Sequence, residues 1–167
     1  VGVQHVVVMG VSGTGKTTIG RLVAERLGAA FVEGDDLHPP ANVEKMRSGV
    51  PLTDDDRGPW LRLVAAAMTE HAQAGRPTVV ACSALRRAYR DVLRSAEGRV
   101  RFVHLAVPRP ELDRRLAGRR GHFMPATLLE SQLATLEPLG DDEDGLDVPV
   151  TSVPADTAEA VLQALGA

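Results

Sequence analysis

Val6-Val-Val-Met9-Gly10-Val-Ser-Gly-Thr-Gly15-Lys16-Thr17-Thr18 joins a β-branched apolar run to a glycine-rich turn and then to a helix-periodic stretch. Gly10 to Thr17 is a complete G-x-x-x-x-G-K-[ST] pattern, and a strand before it with a helix after it is the context that gives the pattern meaning. Glycines let successive backbone N–H groups turn inward around phosphate oxygens. The helix N-terminus adds its positive end. Gly10, Ser12, Gly13, Thr14, Gly15, Lys16, Thr17 and Thr18 are therefore read as the ATP phosphate site. Lys16 reaches the β- and γ-phosphates, and the Thr17 hydroxyl is the expected Mg²⁺ ligand. Two rival readings are weaker. A dinucleotide site would use Gly13-x-Gly15-x-x-Thr18 with Glu33 as the ribose acid, but the third glycine is missing and Lys16 would have no role. A GTPase switch at Asp55-x-x-Gly58 would sit in an acidic helix start rather than at a strand end, and no Asn-Lys-x-Asp run exists.

Outward from this loop, β-rich runs alternate with helical patterns. Lys16–Leu27 places Ile19, Val23 and Leu27 on one stripe and stops at Gly28. Ala30–Glu33 reads as a second strand and Pro39–Arg47 as a short helix. Thr53 caps a longer helix with three aspartates in its first turn. Pro77–Cys82 and Val100–Val107 are the third and fourth strands, with a helix Arg86–Arg94 between them. Helices follow at Arg109–Arg119 and about 125–137. The acidic loop Asp141–Asp147 then leads to a strand Val148–Val153 and a closing helix at 158–165. Such alternation implies a parallel sheet with helices on both faces, a three-layer α/β sandwich. Ligands in these sheets bind beyond the carboxyl ends of the strands, so chemistry is expected just after Met9, Glu33 and Cys82.

The chain has 167 residues, the length of one domain, and no internal repeat or low-complexity linker divides it. Residues 1–167 are therefore expected to form a single domain. Lys and Arg number 19 against 22 Asp and Glu, for a formal charge of −3, which argues against a broad basic surface for nucleic acid or anionic lipid. One cysteine, Cys82, excludes an intramolecular disulfide and a cysteine-rich zinc site. No apolar run approaches the roughly 18 residues of a membrane span, and Val1–Gly10 lacks the marks of a secretory signal. The expectation is a soluble cytoplasmic domain.

A phosphate loop serves an NTP-driven switch as well as a small-molecule kinase. A kinase also needs a carboxylate beside the γ-phosphate to orient the acceptor hydroxyl. Gly34-Asp35-Asp36-Leu37-His38 follows the second strand directly, and Asp35 is the choice for that carboxylate. Asp36 reads equally as a turn residue. His38 either binds substrate or caps the helix that follows.

Gly34-Asp-Asp-Leu-His-Pro39, Asn42-x-x-Lys45-Met46-x-x-Gly49-x-Pro51-Leu52, Asp54-Asp-Asp-Arg57-x-Pro59-Trp60, Cys82-Ser-Ala-Leu85 and Gly121-His-Phe123 together resemble the gluconokinase family. The resemblance runs from about residue 6 to about residue 147. It implies ATP-dependent phosphorylation of D-gluconate at the 6-hydroxyl, on a fold shared with shikimate and adenylate kinases. It also implies a five-stranded parallel sheet of the P-loop nucleoside-kinase type, a mobile lid and a homodimer.

The residues of these blocks have their own chemistry. Gluconate is a polyhydroxy acid, and Arg57 suits a bidentate grip on its carboxylate. Asp54, Asp55 and Asp56 serve a helix N-terminus, with Thr53 and Asp56 forming a capping box. Trp60 is expected in the core. Ser83 stands where many phosphate-loop enzymes carry a magnesium-orienting aspartate; shikimate kinases use that edge for the acceptor, which makes Ser83 a substrate candidate. Cys82 has no base nearby in sequence and is not read as a nucleophile. Arg114, Arg115, Arg119 and Arg120 precede Gly121-His122-Phe123. Arginines beside a glycine hinge suit a lid, at about 119–125, that closes on transferring phosphates. By resemblance to related kinases Arg120 is the lid arginine, with Arg119 the alternate on ATP. Arg86, Arg87 and Arg90 need no more than a cationic helix face.

Overall fold

Strand β1 (Gln4–Met9) is buried at every residue from His5 to Met9, because both faces of the sheet around it are covered. A computed structural model describes residues 2–117 and 127–167 of the chain. Five strands, β1, β2 (Ala30–Glu33), β3 (Thr78–Ala81), β4 (Arg99–Ala106) and β5 (Gly145–Pro149), form one sheet in the order β2-β3-β1-β4-β5. All four pairings are parallel. Alternate side chains feed two cores, as the two-residue strand period demands. Val7, Met9, Val80 and Phe102 face helices α3 (Asp54–Gln73) and α4 (Arg87–Arg94), while Val6, Val8, Val79 and Val103 face α1 (Lys16–Leu27) and α7 (Pro154–Ala164). Among the described residues no helix is long and apolar enough to cross a membrane.

Helix α3 shows how local signals and packing combine. Thr53 accepts from the Asp56 N–H while the Asp56 carboxylate accepts from the Thr53 N–H, a complete capping box. Such a cap contributes about 1 kcal/mol. Leu61, Val64 and Met68 then bury one stripe against the sheet, at about 1.5–3 kcal/mol for each side chain. Trp60 is in this core as expected, 2% exposed.

The end of the chain departs from the sequence reading. The fifth strand is Gly145–Pro149 rather than Val148–Val153, and α7 starts at Pro154. The acidic stretch assigned to a loop supplies the strand, because its carboxylates find side-chain partners on β4. Asp144 pairs with Arg99 at 2.8 Å, and Asp147 with His104 at 3.0 Å. Gly145 makes this possible: a Cβ there would lie 2.8 Å from the Phe102 carbonyl oxygen. The other bounds shift by a few residues, and Gly34–Leu37 forms a single 3-10 turn. Helix α5 is described over Arg109–Ala117 and α6 over Thr127–Thr135. The expected lid at 119–125, with Arg119, Arg120 and His122, lies outside the described residues.

Candidate functional site

The loop between β1 and α1 folds as the spacing requires. Gly13 and Gly15 both adopt φ of 91°, the left-handed region that a side chain disfavours. Lys16 lies back along the loop, its Nζ donating to the Gly10 carbonyl at 2.9 Å and the Val11 carbonyl at 3.0 Å. Thr14 turns inward; it is 1% exposed and its hydroxyl donates to the Val11 carbonyl. Ser12, Gly13, Gly15, Lys16, Thr17 and Thr18 line a cleft of about 270 Å³, walled by Glu33, Asp35, Ser83 and Gln132. Gly10 and Thr14 support it from behind.

Thr17 donates its hydroxyl hydrogen to Glu33 Oε2. Burial raises the Glu33 carboxyl above its usual value, opposed by the Thr17 hydrogen bond. Glu33 Oε1 also accepts from the Asp35 N–H at 3.4 Å, which ties the phosphate cleft to the turn that carries Asp35. On the far wall Gln132 of α6 accepts the Ser12 N–H at 2.6 Å. One of the loop's amides is thus met by a side-chain carbonyl of α6.

A second, narrower pocket opens off this cleft and shares Asp35, Ser83 and Gln132 with it. His38, Arg57, Trp60, Leu52 and Leu85 are among the other residues of its wall. The structure therefore brings Asp35, His38, Arg57 and Ser83 together, although they come from three separate stretches of chain. The His38 ring stacks on Trp60, with centroids 3.9 Å apart and planes 18° apart. Trp60 Nε1 donates to the Gly34 carbonyl at 2.8 Å. Burial pushes the imidazole down to about 4; the Asp35 charge opposes this and the Arg57 charge assists it. His38 is therefore neutral at ordinary pH.

Arg57 donates from Nη1 to the Tyr89 hydroxyl at 3.0 Å, and its guanidinium lies 5.3 Å over the Tyr89 ring. Tyr89 in turn donates to Asp54 Oδ1. So Asp54 does more than serve a helix start: it closes an Arg57–Tyr89–Asp54 chain. Asp56 pairs with Lys45 at 2.8 Å, and that bond with the cap lowers its carboxyl to about 2. The Cys82 thiol is pushed up to about 12, chiefly by burial, and is no nucleophile at neutral pH.

Arg90 overturns the reading of a cationic helix face. It is wholly buried and meets Glu143 through both Nε, at 2.7 Å, and Nη2, at 3.1 Å. Its remaining donors go to the carbonyls of Ala84, Leu85, Glu137 and Pro138. Ala84 has φ of 46°, a strained angle for a residue with a side chain. Arg90 thus clamps the strained strand end that carries Ser83 to the segment just after α6. Arg115 is a further residue that the sequence pattern did not single out from its neighbours; it donates to the Gly13 carbonyl at 3.1 Å. With Thr18 and Val150–Ser152 it lines a third cleft, on the opposite side of the phosphate loop.

A parallel sheet in the order 2-3-1-4-5, with this loop after its central strand and an acid-and-arginine pocket beside it, defines a phosphate-loop kinase of small molecules. Comparison with known proteins narrows the class. A family described as an AAA domain matches residues 6–139. The gluconokinase of Gluconobacter oxydans (strain 621H) is 58% identical over 140 residues, which cover 84% of this chain and 79% of that one. The crystal structure of a gluconokinase from Sinorhizobium meliloti 1021 superposes with a TM-score of 0.84 at 47% identity, covering 98% of this chain and 91% of that one. An unliganded sugar kinase from Janibacter sp. HTCC2649 gives a TM-score of 0.93 at 50% identity, covering 98% and 95%. The chain belongs to the gluconokinase family of phosphate-loop kinases.

Proposed function

We propose that this chain transfers the γ-phosphoryl group of ATP to the 6-hydroxyl of D-gluconate, giving 6-phospho-D-gluconate and ADP. The observation that carries the reading is the seam at Asp35 and Ser83, where the phosphate cleft meets a pocket holding Arg57 and His38. Membership of the gluconokinase family supports gluconate as the occupant of that pocket.

In this reading the loop amides and Lys16 hold the phosphates, and Lys16 leaves its two carbonyl partners to do so. Asp35 accepts the proton of the 6-hydroxyl as that oxygen attacks phosphorus in line. The bond from phosphorus to the β,γ-bridging oxygen breaks, and ADP carries away the electron pair. Arg57, already gripped by Tyr89, takes the gluconate carboxylate. Ser83 bonds a hydroxyl along the sugar chain, and the His38 ring walls the substrate pocket beside Asp35. Arg120, or Arg119 in its place, closes over the phosphates from a lid at about 119–125 within a single 1–167 domain. The third cleft, at Arg115 and Val150–Ser152, is the place for adenine and ribose.

The residues present suit Mg²⁺. The Thr17 hydroxyl gives its hydrogen to Glu33, which leaves its oxygen lone pairs for a hard cation. Among the described residues no group of three or more His, Cys, Asp and Glu could hold a metal, so phosphate oxygens and water would complete the shell, as Mg²⁺ prefers. When bound there Mg²⁺ neutralises charge on the β- and γ-phosphates. The lone cysteine fits a cytoplasmic setting, and a homodimer is carried over from the resemblance; light scattering tests the latter.

A coupled ADP-release assay with MgATP tests the function, comparing D-gluconate, shikimate and no acceptor. Gluconate-dependent turnover with product phosphorylated at the 6-hydroxyl is expected. ADP release independent of acceptor would sink the reading. Asp35→Asn is expected to lower kcat by roughly 10²–10⁴-fold with ATP binding nearly intact.

A further inference from the structure

Asn42 lies in helix α2 (Pro40–Arg47), 3% exposed, behind the residues that face the acceptor pocket. Its Nδ2 donates to the Asp56 carbonyl oxygen at 2.9 Å. A backbone carbonyl only accepts, so this bond fixes which end of the amide is the NH₂ group. The same NH₂ group lies 3.2 Å from His38 Nδ1. A donor must meet an acceptor there, so Nδ1 carries the lone pair and a neutral ring carries its hydrogen on Nε2. Nε2 faces Asp35, 3.8 Å from Oδ1.

We infer that Asn42 is a positioning residue for phosphoryl transfer: it sets the His38 tautomer so that Nε2–H, and not a lone pair, confronts the Asp35 carboxylate. The inference rests on Asp35 being the carboxylate that orients the acceptor hydroxyl. With Nε2–H toward Oδ1, that oxygen is held by a donor as the site tightens, and Oδ2 is left to accept from the substrate. The opposite tautomer would set a nitrogen lone pair against an anionic oxygen, and Asp35 would swing away or take up a proton.

The surroundings over-determine this arrangement. Stacking on Trp60 fixes the plane of the ring, and the Trp60 bond to Gly34 ties that plane to the backbone just before Asp35. The Asp56 carbonyl that aims Asn42 belongs to the capped first turn of α3, itself held by Lys45. Among the described residues the charges acting on the ring are Asp35 and Arg57, and enclosure keeps it neutral. No lone pair on Asn42 Nδ2 competes, because an amide nitrogen's pair is delocalised into its carbonyl and the NH₂ group only donates. Sequence placed His38 between substrate binding and helix capping; the structure gives its two nitrogens separate tasks.

The direct test is nitrogen-15 NMR of histidine-labelled, ligand-free protein at neutral pH. The chain has five histidines, and His38 is assigned by the signal lost in His38→Gln. His38 is expected to show a protonated Nε2 and an unprotonated Nδ1. A protonated Nδ1 in the wild-type chain, alone or with Nε2, overturns the inference whatever the variants do. Asn42→Asp puts an acceptor against Nδ1 and is expected to move the hydrogen there. It should lower kcat with gluconate about tenfold or more, the usual cost of losing such an outer partner, with the KM for ATP little changed. Wild-type kcat in Asn42→Asp with the hydrogen relocated would also refute the inference, while Asp35→Asn separates the two claims. Should Asp35→Asn keep full turnover, the Asp35 reading fails first. Should it be inactive while relocation of the hydrogen is harmless, only the Asn42 inference falls.

Discussion

The phosphate loop is one continuous turn of backbone between β1 and α1, whereas the pocket beside it borrows side chains from stretches more than ninety residues apart. The loop's work is done by N–H groups and one lysine, and its geometry follows from where glycine stands. The pocket's work is done by side chains whose aim depends on other side chains: Asn42 behind His38, and Tyr89 and Asp54 behind Arg57. A site made of backbone announces itself in a short pattern. One made of side-chain chains announces only its front row.

Three perturbations separate the two parts, and the largest effect belongs to the loop. Lys16→Met removes the cation proposed to hold the transferring phosphates, and kcat/KM should fall on the order of 10³-fold in the coupled assay. The melting temperature should change little, since the bonds lost to the Gly10 and Val11 carbonyls lie within the loop itself. A comparable loss of stability would mean that the loop, too, depends on side chains. Arg57→Lys keeps the charge but discards the planar fork. Here the KM for gluconate should rise about tenfold with the KM for ATP unmoved, and Tyr89→Phe, which only frees Arg57 to wander, should raise it a few-fold. Equal effects of both changes on ATP would break the division between loop and pocket.

The smallest effect is on stability in mild acid. The His38 imidazole sits at about 4 in the folded protein, against an ordinary value of 6.5. Between these values the unfolded chain binds the proton and the folded one does not. Stability therefore falls as pH drops from about 6.5 towards 4. Asp56, lowered to about 2, remains ionised through that window and leaves the α3 cap intact until lower pH. Urea midpoints across this range should show the slope in the wild-type chain and a shallower one in His38→Gln. Equal slopes would show that His38 is protonated in the folded state as readily as out of it.

How much of this could be read beforehand varies along the chain for physical reasons. Helix α1 runs from Lys16 to Leu27 as its spacing implied, because an apolar stripe and a glycine stop are local signals, although of that stripe Ile19 and Val23 are buried and Leu27 is exposed. The α3 cap was equally local, with Thr53 and Asp56 three residues apart. Strand β5 was misplaced because it is an edge: Asp147 within it and Asp144 beside it pair with His104 and Arg99 across the ladder, and that support lies some 45 residues away. The candidate site divides in the same manner. Asp35, His38 and Ser83 follow strand ends, where topology alone directs attention. Tyr89 lies 32 residues from Arg57, and Gln132 is 120 residues from Ser12. No periodicity links such pairs. Gln132 carried one faint mark, a polar residue next to the Leu129–Leu133–Leu136 stripe. Arg90 carried none, since a buried arginine and a surface one look alike until Glu143 is found beside it.

Cys82 directly follows β3, one residue before Ser83, 1% exposed and with its thiolate suppressed by burial. As the sole thiol in 167 residues it gives the unmodified chain a built-in clock. A thiol reagent can react only when the strand end carrying Ser83 opens, so the labelling rate reads the population of that open form. Any ligand that binds the closed form alone should slow the clock by the factor 1 + [L]/Kd, which turns a chemically silent residue into a gauge of site occupancy.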